Sequence, residues 1–158
     1  MAKTEIIAEP GTSQIVVTRE FQAPRDLVFR AYTDPDLIPR WLGPRELTTK
    51  VTDYDVRDGG RYRYVHADPD GNEYAFRGVF HGTPTPDLTT QTFEYEGMPG
   101  HVALEAVTMT EVDGRTVVRT LSSFQSVEDR DGIVESGMET GIRDSDERLE
   151  ALLAELQP

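Results

Sequence analysis

Residues 45–124 constrain the fold most. Five turn signals punctuate them: "RDGG" (57–60), "DPDGN" (68–72), "TPTPD" (83–87), "EGMPG" (96–100) and "VDGR" (112–115). Glycine, proline and aspartate supply the turn geometries that other residues resist. Between the signals lie runs rich in Val, Thr, Tyr and Phe, at roughly 46–57, 60–67, 73–82, 88–96, 102–112 and 115–124. Each run suits one strand, and no helical stretch separates them. Consecutive strands with short links form an antiparallel meander.

The flanks add the remaining elements. "QIVVTREF" (14–21) is a β-branched run and reads as a further strand. Pro24 suits the first turn of a helix carrying Leu27, Val28, Ala31 and Tyr32 on one side. "TDP" breaks that helix. Asp34 or Asp36 is placed to cap a second short one, ending near Trp41 and stopped by Gly43-Pro44. At the C-terminus Val134, Met138, Gly141, Ile142, Ser145, Leu149, Leu152, Leu153 and Leu156 share one face of a single long helix. The expected order is β-α-α, six strands, then α: an α+β fold with a curved antiparallel sheet of about seven strands. A sheet with one apolar face needs a cover, and only the last helix is large enough. Residues 1–13 are expected to be a flexible tail and 14–156 one domain.

Composition narrows the partners. The 158 residues suit one domain, and there is no cysteine for a disulfide, thiolate metal site or nucleophile. The net charge is −13, with 29 acidic residues against 16 basic ones, and Lys3 and Lys50 are the only lysines. Clustered cations bind phosphate backbones and anionic membranes, so neither partner is expected. The N-terminus lacks the pattern of a signal peptide, and no run approaches a membrane span. The expected location is the cytoplasm. A homodimer through a sheet edge is compatible with the sequence.

Two patterns point to a site. The last helix spends three glycines, Gly132, Gly137 and Gly141, where each interior glycine costs roughly 1 kcal/mol against alanine. Gly141 and Ser145 leave the N-terminal half of the apolar stripe unfilled. Small residues there either let the helix lie close on the sheet or roof a cavity, and the strands favour the cavity. Tyr62, Tyr64 and His66 share one parity, as do Tyr74, Phe76 and Phe80 around Gly78, and Phe93 with Tyr95. Arg61, Arg63, Arg77, Glu94 and Glu96 take the other. Period-2 alternation puts the rings inside and the charges outside. Tyr64 and Phe76 share a face only if the 68–72 loop has an odd length, so three or five residues are expected.

Of the ionisable groups, Glu105 stands out. A two-residue turn at Asp113-Gly114 places it on one face with Ala103, Val107, Met109, Val118 and Phe124. A carboxyl there is desolvated and raised in pKa unless an arginine reaches it, and it is a candidate acid or base. His66 is the other weak catalytic candidate. The three histidines (66, 81, 101) have no metal-ligand spacing, and no metal or cofactor is expected. "DPDGNE" lacks the later ligands of a calcium loop and reads as a hairpin. No catalytic triad order, phosphate loop or dinucleotide fingerprint is present.

Four long blocks carry a resemblance: "REFQAPRDLVFRAYTDPDLIPRWLGP", "DGGRYRYVHADPDGNEYAFRGVF", "TFEYEGMPGHVALEAVTMTEVDGRT" and "SSFQSVEDRDGIVESGMETGIRDSDERLEALL". In order and over about residues 14–155, they resemble the single-domain bacterial homologues of the heat-shock-protein ATPase activator (Aha-type), in the START-like helix-grip superfamily. The resemblance implies a curved sheet wrapped around a long C-terminal helix, with an internal cavity between them. It implies binding or transformation of small apolar molecules. Co-chaperone activity belongs to larger eukaryotic relatives with an added N-terminal domain. Many relatives carry a second tryptophan where this chain has Leu42.

The leading expectation is binding of a small apolar or aromatic molecule between sheet and last helix. Its lining is Trp41, Tyr62, Tyr64, His66, Phe76, Phe80, Phe93, Tyr95, Met138, Gly141 and Ile142. A cyclase, dehydratase or hydrolase using the same cavity is the first alternative. A co-chaperone-like interaction module is the second.

Overall fold

The computed structural model describes residues 3–158. Eight strands form one antiparallel sheet: β1 (Lys3–Ile7), β2 (Gln14–Phe21), β3 (Thr48–Tyr54), β4 (Arg61–Ala67), β5 (Glu73–His81), β6 (Thr89–Tyr95), β7 (Val102–Val112) and β8 (Arg115–Ser123). Their spatial order is β1-β2-β8-β7-β6-β5-β4-β3. Helix α1 (Arg25–Thr33) and a 3-10 turn (Ile38–Arg40) link β2 to β3. Helices α2 (Val127–Glu135) and α3 (Met138–Leu156) end the chain.

The meander appears as its turns dictate. Val112 pairs with Arg115 across the two-residue Asp113-Gly114 turn, where both residues have positive φ. Ala67 pairs with Glu73, so the 68–72 loop has five residues and Tyr64 faces Phe76. The Asp68 carboxylate fixes this loop by accepting from the backbone N–H groups of Asp70 and Asn72 and from the Asn72 amide. The register shifts between Val51 and Asp53, and this bulge turns Tyr54 inward beside Tyr62.

Three expectations change. The expected tail contains β1, so the sheet has eight strands rather than about seven. Thr4 and Ile6 pair with the inward residues Arg19 and Val17, and the Thr4 hydroxyl donates to Asp146 on α3 at 2.6 Å. Buried Arg130 of α2 donates to the Glu9 carbonyl at 2.7 Å and holds the following turn. Second, the single long helix is two. Gly137 between them has φ +87°, a left-handed conformation that glycine adopts without a Cβ penalty. Third, Pro24 precedes α1 as its cap residue instead of lying in the first turn, and the second short helix is one 3-10 turn.

The apolar core lies under the C-terminal half of α3. Leu149, Leu152 and Leu153 pack with Phe21, Val28, Ala31, Trp41, Val107, Met109 and Val118. The middle of α3 is bound to the chain after the 3-10 turn. The Ser145 hydroxyl accepts from Gly43 N–H and donates to the Gly141 carbonyl, each at 2.8 Å. Arg148 donates to the Gly43 carbonyl at 3.1 Å. Gly141 faces Pro44, whose Cγ lies 3.5 Å from where a Cβ would sit. The small residues therefore admit the 43–45 loop against the helix and roof no cavity. Since that spacing is ordinary van der Waals contact, Gly141→Ala is expected to stabilise the protein by about 0.5–1 kcal/mol. Urea denaturation checks this, and a loss of stability contradicts the placement.

Candidate functional site

Alternate residues of β4, β5 and β6 build a row of rings on the inner face. Register sets Tyr64 opposite Phe76 and Phe76 opposite Tyr95. The Tyr64 and Phe76 centroids are 5.4 Å apart, Phe76 and Phe93 also 5.4 Å, and Phe76 and Tyr95 5.2 Å. Offset stacking at these distances is favourable beyond area burial. The row has two ends. Tyr62 and Phe80 are buried and pack on Tyr54, while Tyr64, Phe76, Phe93 and Tyr95 stay half-buried.

Gly78 makes the buried end possible. Its missing side chain leaves room for the Tyr62 ring, and the Tyr62 hydroxyl donates to the Thr92 carbonyl. The strands part there, and Val79 N–H is satisfied by the Thr92 hydroxyl at 2.9 Å.

Beside the rings lies a buried polar layer. Glu105 pairs with Gln91 and Ser122 across the sheet. Its two carboxylate oxygens accept from the Gln91 amide at 3.1 Å and the Ser122 hydroxyl at 2.9 Å. Burial pushes its pKa up, against those two hydrogen bonds and Arg19. Arg19 occupies the inward parity between Val17 and Phe21. Its Nε stands 2.9 Å from Asp146 Oδ1, with 14% of the Arg19 side chain and 2% of the Asp146 side chain accessible. Burial holds the Asp146 carboxyl above its ordinary range, opposed by Arg19 and the Thr4 hydroxyl. The Tyr32 hydroxyl of α1 lies beside Arg19, and burial raises its pKa.

Tyr64 and Glu105 are desolvated, with pKa values pushed up by burial, yet both keep accessible surface. Two surface clefts lie elsewhere. One is bounded by Arg25, Asp87 and Thr108–Glu111, and the other crosses the outer face of β3, β4 and β5.

The candidate residues divide accordingly. Tyr64, Phe76, Phe93 and Tyr95 come together on the inner face, and Met138 and Ile142 are half-buried at the start of α3. Trp41 does not join them. It belongs to the core, packs against Tyr32 with centroids 5.0 Å apart and planes tilted by 41°, and donates to the Ala31 carbonyl at 3.1 Å. Gly141 faces Pro44. Tyr62 and Phe80 form the row's buried end. Glu105 lies on the expected face, and its hydrogen-bond partners are Gln91 and Ser122 in place of an arginine. Sequence patterning does not mark Arg19, Gln91, Ser122 or Asp146, and it offers Tyr32 only as part of the α1 stripe. The signal for Arg19 was a charge on the apolar parity of "IVVTREF".

His66 is a structural group. The Thr49 hydroxyl donates to the Leu42 carbonyl at 2.8 Å, so at 2.8 Å from His66 Nδ1 it accepts that ring's N–H. Burial, then Arg148, lowers the imidazole pKa from 6.5 to about 4. The unfolded chain takes up this proton near pH 6.5 and the fold resists until about 4. The histidine's contribution is therefore complete above pH 6.5 and lost as pH falls toward 4, at roughly 1.4 kcal/mol per pH unit. His66→Gln is expected to flatten this part of the profile by about 2–3 kcal/mol between pH 7 and 4.5. Denaturation midpoints of both proteins at the two pH values check it. Equal acid losses contradict it.

Among the described residues no group of three or more His, Cys, Asp or Glu could hold a metal ion. No described helix is long and apolar enough to cross a membrane.

The fold has close counterparts. A Rhodobacter sphaeroides protein superposes with a TM-score of 0.89 at 24% identity, over 98% of this chain and 100% of its own. A Mycobacterium smegmatis protein gives 0.85 at 26%, over 95% and 96%. One from Arthrobacter aurescens gives 0.86 at 25%, over 96% and 91%. No curated protein matches the chain. Residues 22–154 match the family described as "Activator of Hsp90 ATPase homolog 1-like protein". The meander, the covering C-terminal helix and this match over most of the chain together make it a member of the Activator of Hsp90 ATPase homolog 1-like family.

Proposed function

We propose that the protein binds a small apolar or aromatic molecule on the inner face of β4–β6, under the start of α3. The observation that carries this reading is the ring row. Tyr64, Phe76, Phe93 and Tyr95 pack into one surface and remain half-buried, with Glu105 near Tyr64. Apolar burial supplies about 25 cal/mol per Å², so a one-ring ligand suits micromolar to millimolar affinity after the cost of association. In this reading the half-buried Met138 and Ile142 at the start of α3 form the opposite wall. The Tyr62 hydroxyl is occupied by Thr92 and does not orient the ligand.

Binding to the fold alone raises stability by RT ln(1 + [L]/Kd). Indole, a neutral aromatic probe, is expected to raise the melting temperature saturably. Phe93→Ser is expected to weaken that response at least about tenfold, by removing the half-buried ring that stacks on Phe76. No saturable shift in the parent protein, or an undiminished one in Phe93→Ser, contradicts the proposal.

An enzymatic role for the same site draws on one observation, the desolvated Glu105 beside the rings. In that reading Glu105 donates or accepts the proton. A rate that falls with Glu105→Gln while indole affinity holds would support it.

A further inference from the structure

We propose that the ligand of this site carries an uncharged carbonyl oxygen, held by the Tyr32 hydroxyl and the Arg19 guanidinium. This rests on the reading of the ring row as a ligand surface and names the chemistry of the ligand's polar end.

The donors come first. Arg19 brings five N–H groups and no acceptor. Nε faces Asp146 at 2.9 Å. Nη1 reaches the Thr120 hydroxyl only at a long 3.4 Å. Beyond these contacts and the neighbouring Tyr32 hydroxyl, the guanidinium has no further hydrogen-bond partner among the described residues, and the side chain keeps 14% of its surface accessible. The buried Tyr32 hydroxyl stands beside it, placed to accept from the guanidinium, and its own proton has no acceptor among the described residues. Native proteins satisfy the large majority of buried polar groups. Two neighbouring donors without an acceptor are therefore matched by an acceptor oxygen.

Charge then selects the kind of oxygen. Asp146 already balances Arg19 across 2.9 Å. Glu105 also acts on Arg19, and Arg143, which donates to the Thr4 carbonyl, acts on Asp146, so two cations and two carboxylates already balance. A carboxylate head would enter with no countercharge and meet Glu105 and Asp146. A buried unpaired charge is costly. A ketone, aldehyde or amide oxygen accepts the same hydrogen bonds without that cost. The sheet register supplies the body's place, since Glu105 and Gln91 continue the inner face of β6 and β7 that carries Phe93.

Three probes of similar body test this: 4-phenylbutan-2-one, 3-phenylpropionate and butylbenzene, titrated by protein-observed NMR. The ketone is expected to bind at least about tenfold tighter than either other probe. Tyr32→Phe keeps the ring and removes a hydroxyl whose proton has no acceptor, at the cost of at most one hydrogen bond from Arg19, so it is expected to fold. It should weaken the ketone roughly 3- to 10-fold and leave butylbenzene unchanged. Equal affinity for ketone and hydrocarbon overturns the polar anchor and leaves the ring-row reading intact. Tightest binding of the carboxylate overturns the charge argument. An unchanged ketone affinity in Tyr32→Phe removes Tyr32 from the site. Failure of all three probes overturns both this inference and the proposed function.

Discussion

Asp146→Ala is expected to destabilise the protein by about 3–5 kcal/mol, the usual cost of stranding one partner of a buried ion pair. Arg19 would remain with 14% of its side chain accessible and no carboxylate at 2.9 Å. A guanidinium does not release its proton at any ordinary pH. Thr4 would also lose the acceptor that ties β1 to α3. Equilibrium urea unfolding measures the loss. The control is Arg19→Met with Asp146→Leu, which removes both charges. It is expected to recover most of the lost stability, because a buried pair is worth little against well-packed apolar side chains. A single variant within 1 kcal/mol of the parent would mean that the pair is solvated.

Gly78→Ala is expected to cost about 3 kcal/mol or more. A Cβ at this position would lie 2.0 Å from the Thr92 carbonyl oxygen and 2.4 Å from the Tyr62 ring. Backbone cannot yield as a flexible side chain does, so β5 and β6 must separate further or Tyr62 must leave its place. Overpacking of this kind costs 1–3 kcal/mol by itself. Loss of the Tyr62 hydrogen bond to Thr92 adds about 1 kcal/mol. Near-ultraviolet circular dichroism should change together with the unfolding midpoint, since Tyr62 stands among Tyr54, Tyr64 and Phe80. A variant as stable as the parent would contradict the close packing of ring on strand.

The meander was legible because its turns are local chemistry. Asp68 closes its own five-residue loop, and Asp113-Gly114 reads as a two-residue hairpin without reference to the rest of the chain. Period-2 alternation then placed Tyr64, Phe76, Phe93 and Glu105 on one face. What escaped depends on distant partners. "KTEII" is too short to announce itself as a strand, and its anchors are Asp146 and, through the following turn, Arg130. Gly141 and Ser145 read as a gap because the loop that fills it comes from residues 43–45. The break at Gly137 was hidden by an apolar stripe that continues across it. Trp41 reads as part of the ligand surface because its sequence neighbourhood does not say which part of the interior it meets. It meets Leu149 and its neighbours in the core. Arg19 and Asp146 each sit on an inward face of their own element. Long charged side chains often reach out from such faces to water, and only the fold shows that these two meet each other.

The most direct test of the central claim is chemical-shift mapping of an indole titration on isotopically labelled protein. The account predicts saturable shifts in the ring protons of Tyr64, Phe76, Phe93 and Tyr95 and in the methyl groups of Met138 and Ile142. Shifts confined to the surface clefts near Arg25 or Lys50, or no saturable shifts, would contradict it.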